Sequence, residues 1–356
     1  MYKLESITQV HLELTEACQA ACPMCPRIYH GQVNPHLTIA ELTLEDCKKI
    51  FEPHFLKQLK NIYLCGNYGD PIIAKDLLEI LQYFREQNPL LYLNIHTNGG
   101  ARTSEWWTKL ASIIGKRGSV IFGIDGLEDT NHLYRKNVNW NILENSITSF
   151  ISAGGLAEWQ YIVFDHNQHQ IQAAEELSKT MGFFKFFILK TNRFIYDLEK
   201  PRDTVDVYSK DGKKVSIIAA PVSKYQNGAI AEKDSILKKY GNSENYYNAA
   251  EINCKAIIGS KIFISAEGIL MPCCWLAGAM YKADLVDYKQ NEIWGIIDTI
   301  GKDLLNAKNG LHTAFNSGIL EIIEDSWSKK TFAEGKLRVC AVSCGKEFNP
   351  LDKQRM

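Results

Sequence analysis

Three cysteines, Cys18, Cys22 and Cys25, fall within eight residues of one another in the run Thr15-Glu16-Ala17-Cys18-Gln19-Ala20-Ala21-Cys22-Pro23-Met24-Cys25-Pro26-Arg27. Pro23 and Pro26 oppose helix continuation and favour a loop that wraps around something. Three thiolates suit an iron–sulfur cubane with one iron left to a ligand from outside the protein. A zinc site completed by His30, or three buried thiols, is the plainer alternative. The chain has ten cysteines in 356 residues, and most are clustered. Cys273 and Cys274 are adjacent, Cys340 and Cys344 are a turn apart, and Cys254 precedes both pairs. Random burial would scatter them, and a reducing cytosol argues against disulfides.

The elements that must position these residues are readable from periodicity. Short apolar, β-branched runs at Ile7 to Leu14, Asn61 to Cys65, Leu91 to Thr97, Ser119 to Asp125, Glu158 to Phe164 and Phe183 to Leu189 predict six strands. Amphipathic stretches lie between them: a helix capped by Thr43, then Asp76 to Gln87, Thr103 to Ile114, Asn141 to Ala153 and Gln168 to Met181. Glycines close the last two. Repeated βα units imply parallel strands, right-handed crossovers and a sheet curling toward a barrel. The predicted class is α/β, a partial (β/α)6 TIM-like barrel over 1–190. The cysteine loop follows the first strand, at the rim where such barrels place chemistry.

From 191 to 253 the pattern weakens, with a basic patch from Lys210 to Lys214, and a connecting segment is expected there. A small α+β domain is expected over 254–356: short strands at Lys261 to Ser265 and Ile269 to Met271, then helices over Gln290 to Leu305 and Thr313 to Asp325. The net charge of −1 leaves no electrostatic footprint for nucleic acid or an anionic membrane. No apolar run reaches the roughly 18 residues a membrane helix needs, and Lys3, Glu5, His11 and Glu13 break any signal peptide. A cytoplasmic protein is the expectation.

The Cys-x3-Cys-x2-Cys spacing after the first strand resembles that of the radical S-adenosylmethionine (SAM) superfamily. The resemblance implies that Cys18, Cys22 and Cys25 hold a [4Fe–4S] cluster whose open iron binds SAM. One electron from that cluster cleaves the sulfonium, and the resulting 5′-deoxyadenosyl radical abstracts a substrate hydrogen. Most members carry an aromatic residue before the third cysteine, where this chain has Met24. Cys65-Gly66-Asn67-Tyr68-Gly69-Asp70-Pro71 ends the second strand, where members carry a Gly-Gly-Glu type motif that orients the SAM amino group, and Gly69-Asp70 looks like its shortened form.

His96-Thr97-Asn98-Gly99-Gly100 and Gly123-Ile124-Asp125-Gly126 resemble turns that contact the ribose and carboxylate of SAM, with Gly123 limited to a backbone role. Arg135 is similar to the arginine that pairs with the SAM carboxylate, a task a planar guanidinium performs bidentately, the alternative being a surface helix arginine. Tyr161-Ile162-Val163 would flank the adenine and Asn167 would hydrogen-bond it, unless they are plain core and loop. Cys65, at the same rim, is placed to return a hydrogen atom to a substrate radical, or is simply packed, as Cys47 is expected to be.

Cys254, thirteen residues, Gly268, four residues and Cys273 reproduce the opening spacing of the SPASM/twitch module, and Cys340-x3-Cys344 looks like its closing pair. There are too few cysteines for a full SPASM domain, so the shorter twitch form with one auxiliary [4Fe–4S] cluster fits better, with zinc as the alternative filling. Either Cys273 or Cys274 could be the ligand. The resemblance implies oxidation or cross-linking of a ribosomally made peptide, with a flavodoxin- or ferredoxin-type reductant. Any leader-peptide recognition is expected from a separate protein, because the cysteine loop begins almost at once. A small-molecule radical dehydrogenase or cyclase is the alternative, and a non-enzymatic zinc scaffold the third reading.

Overall fold

The computed structural model describes residues 3–195, 198–282, 284, 287, 289 and 291–354. Its centre is one eight-stranded sheet. The strands are β1 (Gln9–Leu12), β2 (Asn61–Leu64), β3 (Tyr92–Thr97), β4 (Gly118–Gly123), β5 (Ala157–Ile162), β6 (Lys185–Leu189), β7 (Lys261–Ile264) and β8 (Leu270–Met271), in the order β8-β7-β1-β2-β3-β4-β5-β6. β1 to β6 pair in parallel in chain order, and helices lie between them, so the six-unit partial barrel is present. Burial alternates along β1, β2 and β3. Val10, Leu12, Ile62, Leu64, Leu93 and Ile95 pack into the core, whereas His11, Tyr63 and His96 form a row of edge-on rings on the other side.

Local signals account for the helices. Thr43 and Asp46 make a reciprocal capping box for Leu44–Ile50. Thr103 caps Ser104–Ile114, Asn139 caps Trp140–Ser152, and left-handed Gly182 ends Ile171–Met181.

The C-terminal part differs from its reading in three ways. Its strands extend the barrel sheet instead of forming one of their own: β7 pairs in parallel with β1, and β8 returns antiparallel to β7. That pairing covers what would be the free edge of β1. The helix expected over Thr313 to Asp325 is two, Leu311–Phe315 and Ile319–Ser326, because Gly318 adopts φ 94° between them. The helix expected from Gln290 to Leu305 covers Glu292–Ile300, and Gln290 lies outside the described residues.

The 191–253 stretch also carries structure: an antiparallel hairpin (Thr204–Tyr208 with Lys214–Ala219) and helices Ala229–Tyr240 and Ser243–Ala249. Those helices share a small core with the chain's end, Tyr246 and Ala250 packing with Ala341 and Phe348. Among the described residues no helix is long and apolar enough to cross a membrane.

Candidate functional site

The loop after β1 is held by its own backbone. Ala17 N–H donates to the Thr15 hydroxyl, Cys25 N–H to Cys22 O (3.0 Å) and Ile28 N–H to Cys25 O (2.9 Å). Arg27 closes the loop by donating from Nε to Glu16 O at 2.9 Å. Cys18, Cys22 and Cys25 thereby line one open cavity at the C-terminal ends of the parallel strands. Burial pushes the thiols of Cys18 and Cys22 up, the latter to about 11. Sulfur buried in this way is a poor free thiolate and deprotonates readily only onto a metal.

Gly66, Asn67, Gly69, Asp70, Asn98, Gly123, Arg135, Ile162 and Cys65 line the same cavity. The turn after β2 approaches the cysteine loop so closely that a Cβ on Gly69 would lie 1.8 Å from Thr15 O, and the turn itself is so tight that one on Gly66 would lie 2.2 Å from Gly69 O. Asp70 N–H donates to Ala17 O (2.9 Å), and the Asp70 carboxylate accepts from Thr97 Oγ1 (3.1 Å), Asn98 N–H (2.8 Å), Asn98 Nδ2 (2.6 Å) and Ile72 N–H (3.2 Å). Asp70 therefore ties the ends of β2 and β3 together, and Asn98 in turn accepts from Gln19 Nε2 and donates to Cys18 Sγ at 3.6 Å.

Gly123 has a steric part to play. A Cβ there would stand 2.4 Å from Arg135 Nη2, so the missing side chain makes room for the guanidinium. Arg135 Nε lies 2.7 Å from Asp125 Oδ2 in a buried ion pair, and the guanidinium charge works against the upward push that burial gives the Cys22 thiol. Asp125 is fully buried and does not line the cavity, and its Oδ1 accepts from Ile162 N–H at 2.6 Å. Burial raises its pKa, opposed first by the Arg135 charge.

Asn167 is likewise buried behind the wall. It donates to Asp125 O and Ile162 O (2.9 Å each) and accepts from Phe164 N–H. Tyr161 and Val163 face the core, leaving Ile162 as the member of that trio at the cavity.

Two residues were not singled out from sequence. Glu13, the charged residue at the end of an apolar strand, is buried and accepts from Tyr68 N–H (2.7 Å) and Gly69 N–H (3.2 Å). Burial pushes its pKa up to about 8 against those two donors. Arg193 enters the cavity from the segment read as connector and stacks its guanidinium 5.8 Å over the Tyr134 ring. Cys65 sits at the rim with its thiol pushed up to about 12 by burial, and Cys47 is core.

Cys254, Cys273, Cys340 and Cys344 line a second, apolar cavity with Trp275, Leu276 and Trp327. Cys340 and Cys344 stand one turn apart on the helix Arg338–Cys344, so both face the same way. Cys254 precedes the helix Lys255–Ile258, and Cys273 precedes Cys274–Gly278. Cys273, not Cys274, opens onto this cavity. Among the described residues no three His, Cys, Asp or Glu side chains converge as for a single metal ion.

The donor chemistry of both sets, soft sulfur only, fits iron–sulfur ligation, and the first set has the three-thiolate count that leaves one iron open. A larger cavity of about 830 Å³ adjoins the second, sharing Trp275, Val339 and Ser343 with it. Asn192 and Ile195 line this larger cavity, while Arg193 between them lines the first.

No family model and no curated protein matches the chain. Among solved structures, Streptococcus suis SuiB bound to S-adenosylmethionine is similar over 97% of this chain and 76% of its own, at 14% identity and a TM-score of 0.54. SuiB bound to the precursor peptide SuiA is similar over 94% and 76%, at 14% identity and a TM-score of 0.53. Likeness at that identity is likeness of fold, and it extends through the C-terminal part.

Proposed function

We propose that this chain, whose fold is the partial barrel of the radical SAM enzymes, cleaves SAM reductively at Cys18, Cys22 and Cys25 and oxidises or cross-links a peptide substrate. The observation that carries the reading is the meeting, in one cavity, of three loop cysteines with the Gly66–Asp70 turn and Asn98 at the ends of consecutive parallel strands, and with Arg135 from the end of the helix Glu128–Tyr134. When bound there, a [4Fe–4S] cluster with SAM supplies the electron that breaks the sulfonium bond and the carbon radical that removes a substrate hydrogen.

The protein's own residues bind and orient. Gly66 and Gly69 expose backbone to the ligand where side chains cannot fit. Asn98, fixed by Asp70 and Gln19, presents its amide beside Cys18. Arg135, braced by Asp125, holds its guanidinium next to Cys22, where a ligand carboxylate would be met by charge-assisted hydrogen bonds. Cys254, Cys273, Cys340 and Cys344 are the ligands proposed for an auxiliary [4Fe–4S] cluster. Such a cluster would take up the electron left on the oxidised substrate.

The peptide reading is supported by the cavity beside the second cysteine set, whose walls include Tyr247, Trp275 and Phe332 with Arg338 and Glu292. Its roughly 830 Å³ suits several residues of extended chain. SuiB, of the same fold, has been seen with its precursor peptide. A flavodoxin- or ferredoxin-type reductant and a separate leader-binding protein would complete a cytoplasmic system.

Anaerobic co-expression with a short peptide encoded beside the gene tests this: the peptide should lose two mass units in a manner requiring Cys18, Cys22 and Cys25. SAM cleavage without any change in the peptide would discard the peptide reading in favour of a small-molecule substrate.

A further inference from the structure

The turn after β2 touches more than the first cavity. Asn67 and Tyr68 line it beside the loop cysteines. Asn67 Nδ2 donates to Cys274 O at 3.0 Å, and the Tyr68 hydroxyl donates to Gly278 O at 3.0 Å. These two carbonyls belong to the first and last residues of the helix Cys274–Gly278, and the residue capping that helix is Cys273, which opens onto the second cysteine cavity.

The contact is reinforced on both sides. The Tyr68 ring meets Tyr281 edge-on at 6.0 Å, and Asn34 Nδ2 donates both to Tyr281 O (2.9 Å) and to Pro26 O (3.3 Å), next to Cys25. Toward the barrel, Glu13 fixes the turn through Tyr68 N–H and Gly69 N–H. Gly69 rests on Thr15 O and leaves no slack. A shift of Cys273 therefore moves a helix whose two ends are fastened to the turn that shapes the first cavity.

We propose that Asn67 and Tyr68 are positioning residues that couple SAM affinity at the first cysteine site to ligation of Cys273 at the second. The inference rests on the SAM-binding reading above. Coupling of this kind is reciprocal: SAM should steady the Cys273 helix to the extent that second-site ligation tightens SAM.

The test is SAM affinity of the anaerobically reconstituted protein, measured for wild type, Tyr68→Phe, Cys340→Ala/Cys344→Ala and their combination. Tyr68→Phe keeps the ring and removes only the bond to Gly278 O. It should raise the SAM dissociation constant by about 5- to 20-fold, within the usual span of coupling free energies, with iron at the first site unchanged. The double cysteine variant should raise it comparably, and the combination should add little to either. Effects that multiply, or an unchanged affinity for Tyr68→Phe, would overturn the coupling.

Amide hydrogen exchange over 273–281 supplies the reciprocal reading without the cysteine variant. SAM should slow exchange there in wild type and not in Tyr68→Phe, and equal slowing in both contradicts the proposal. Wild type that fails to bind SAM removes the functional reading as well. Wild type that binds, beside a Tyr68→Phe variant that behaves identically, removes the coupling alone.

Discussion

Replacing Arg135 by Met isolates the electrostatics behind the site. Asp125 is fully buried, and its Oδ2 lies 2.7 Å from Arg135 Nε, while among the described residues its Oδ1 has only the Ile162 N–H. Met preserves much of the apolar stem but removes the cation. Breaking a buried pair from one side leaves an uncompensated charge and costs about 3–5 kcal/mol. That cost should depend on pH in a defined direction. Burial already raises the Asp125 pKa, and the Arg135 charge is the largest influence opposing it. Without Arg135 the folded-state pKa rises further above the unfolded value of about 3.9, so the native state holds a proton the unfolded chain has lost. The variant's deficit should be largest near pH 7.5 and shrink as pH falls toward 4. Urea unfolding followed by tryptophan fluorescence under anaerobic, metal-free conditions measures it, and adding Asp125→Asn should recover much of the loss at neutral pH. A deficit below about 1 kcal/mol, or one that does not change with pH, would refute the buried-pair argument, since exposed pairs give values of that size.

Gly123→Ala should reproduce the Arg135 defect in milder form, because its Cβ would stand 2.4 Å from Nη2, and a SAM titration should show weakened binding with first-site iron retained. Glu13, with its pKa up to about 8, stabilises the fold below its unfolded pKa and loses that contribution as pH rises through about 8. Glu13→Gln, which keeps an acceptor for Tyr68 N–H, should flatten the fall in melting temperature across that window. Cys340→Ala/Cys344→Ala should still yield 5′-deoxyadenosine but little oxidised product. Full product yield from a folded variant lacking second-site iron would exclude that site as the electron acceptor.

Periodicity and capping made the barrel legible, since six strand runs and the Thr43 cap depend on residues near one another in sequence. The three loop cysteines, Asp70 and Asn98, each ending or following such a strand, do line one cavity, and so does Arg135, which follows the helix Glu128–Tyr134 and was singled out by resemblance. What escaped was set by distant partners. The pairing of β7 with β1 joins Lys261 to Gln9, and nothing local to either strand specifies it. Glu13 looked like a charge at a strand end until the turn carrying Tyr68 closed over it. Asn167 was read as a ligand contact, yet it is buried behind the cavity wall with its amide bonded to Asp125 O and Ile162 O, a placement only the packed structure reveals. The choice between Cys273 and Cys274 likewise required knowing which side of a short helix faces the second cavity.

SAM cleavage is proposed at Cys18, Cys22 and Cys25. Anaerobically reconstituted protein incubated with SAM and dithionite, with 5′-deoxyadenosine quantified by mass spectrometry, tests it most directly. Wild type should accumulate 5′-deoxyadenosine with an equal amount of methionine. The Cys18→Ala/Cys22→Ala/Cys25→Ala variant should make none while keeping the iron of its second site. No 5′-deoxyadenosine from iron-loaded wild type, or undiminished formation by the triple variant, would contradict the account.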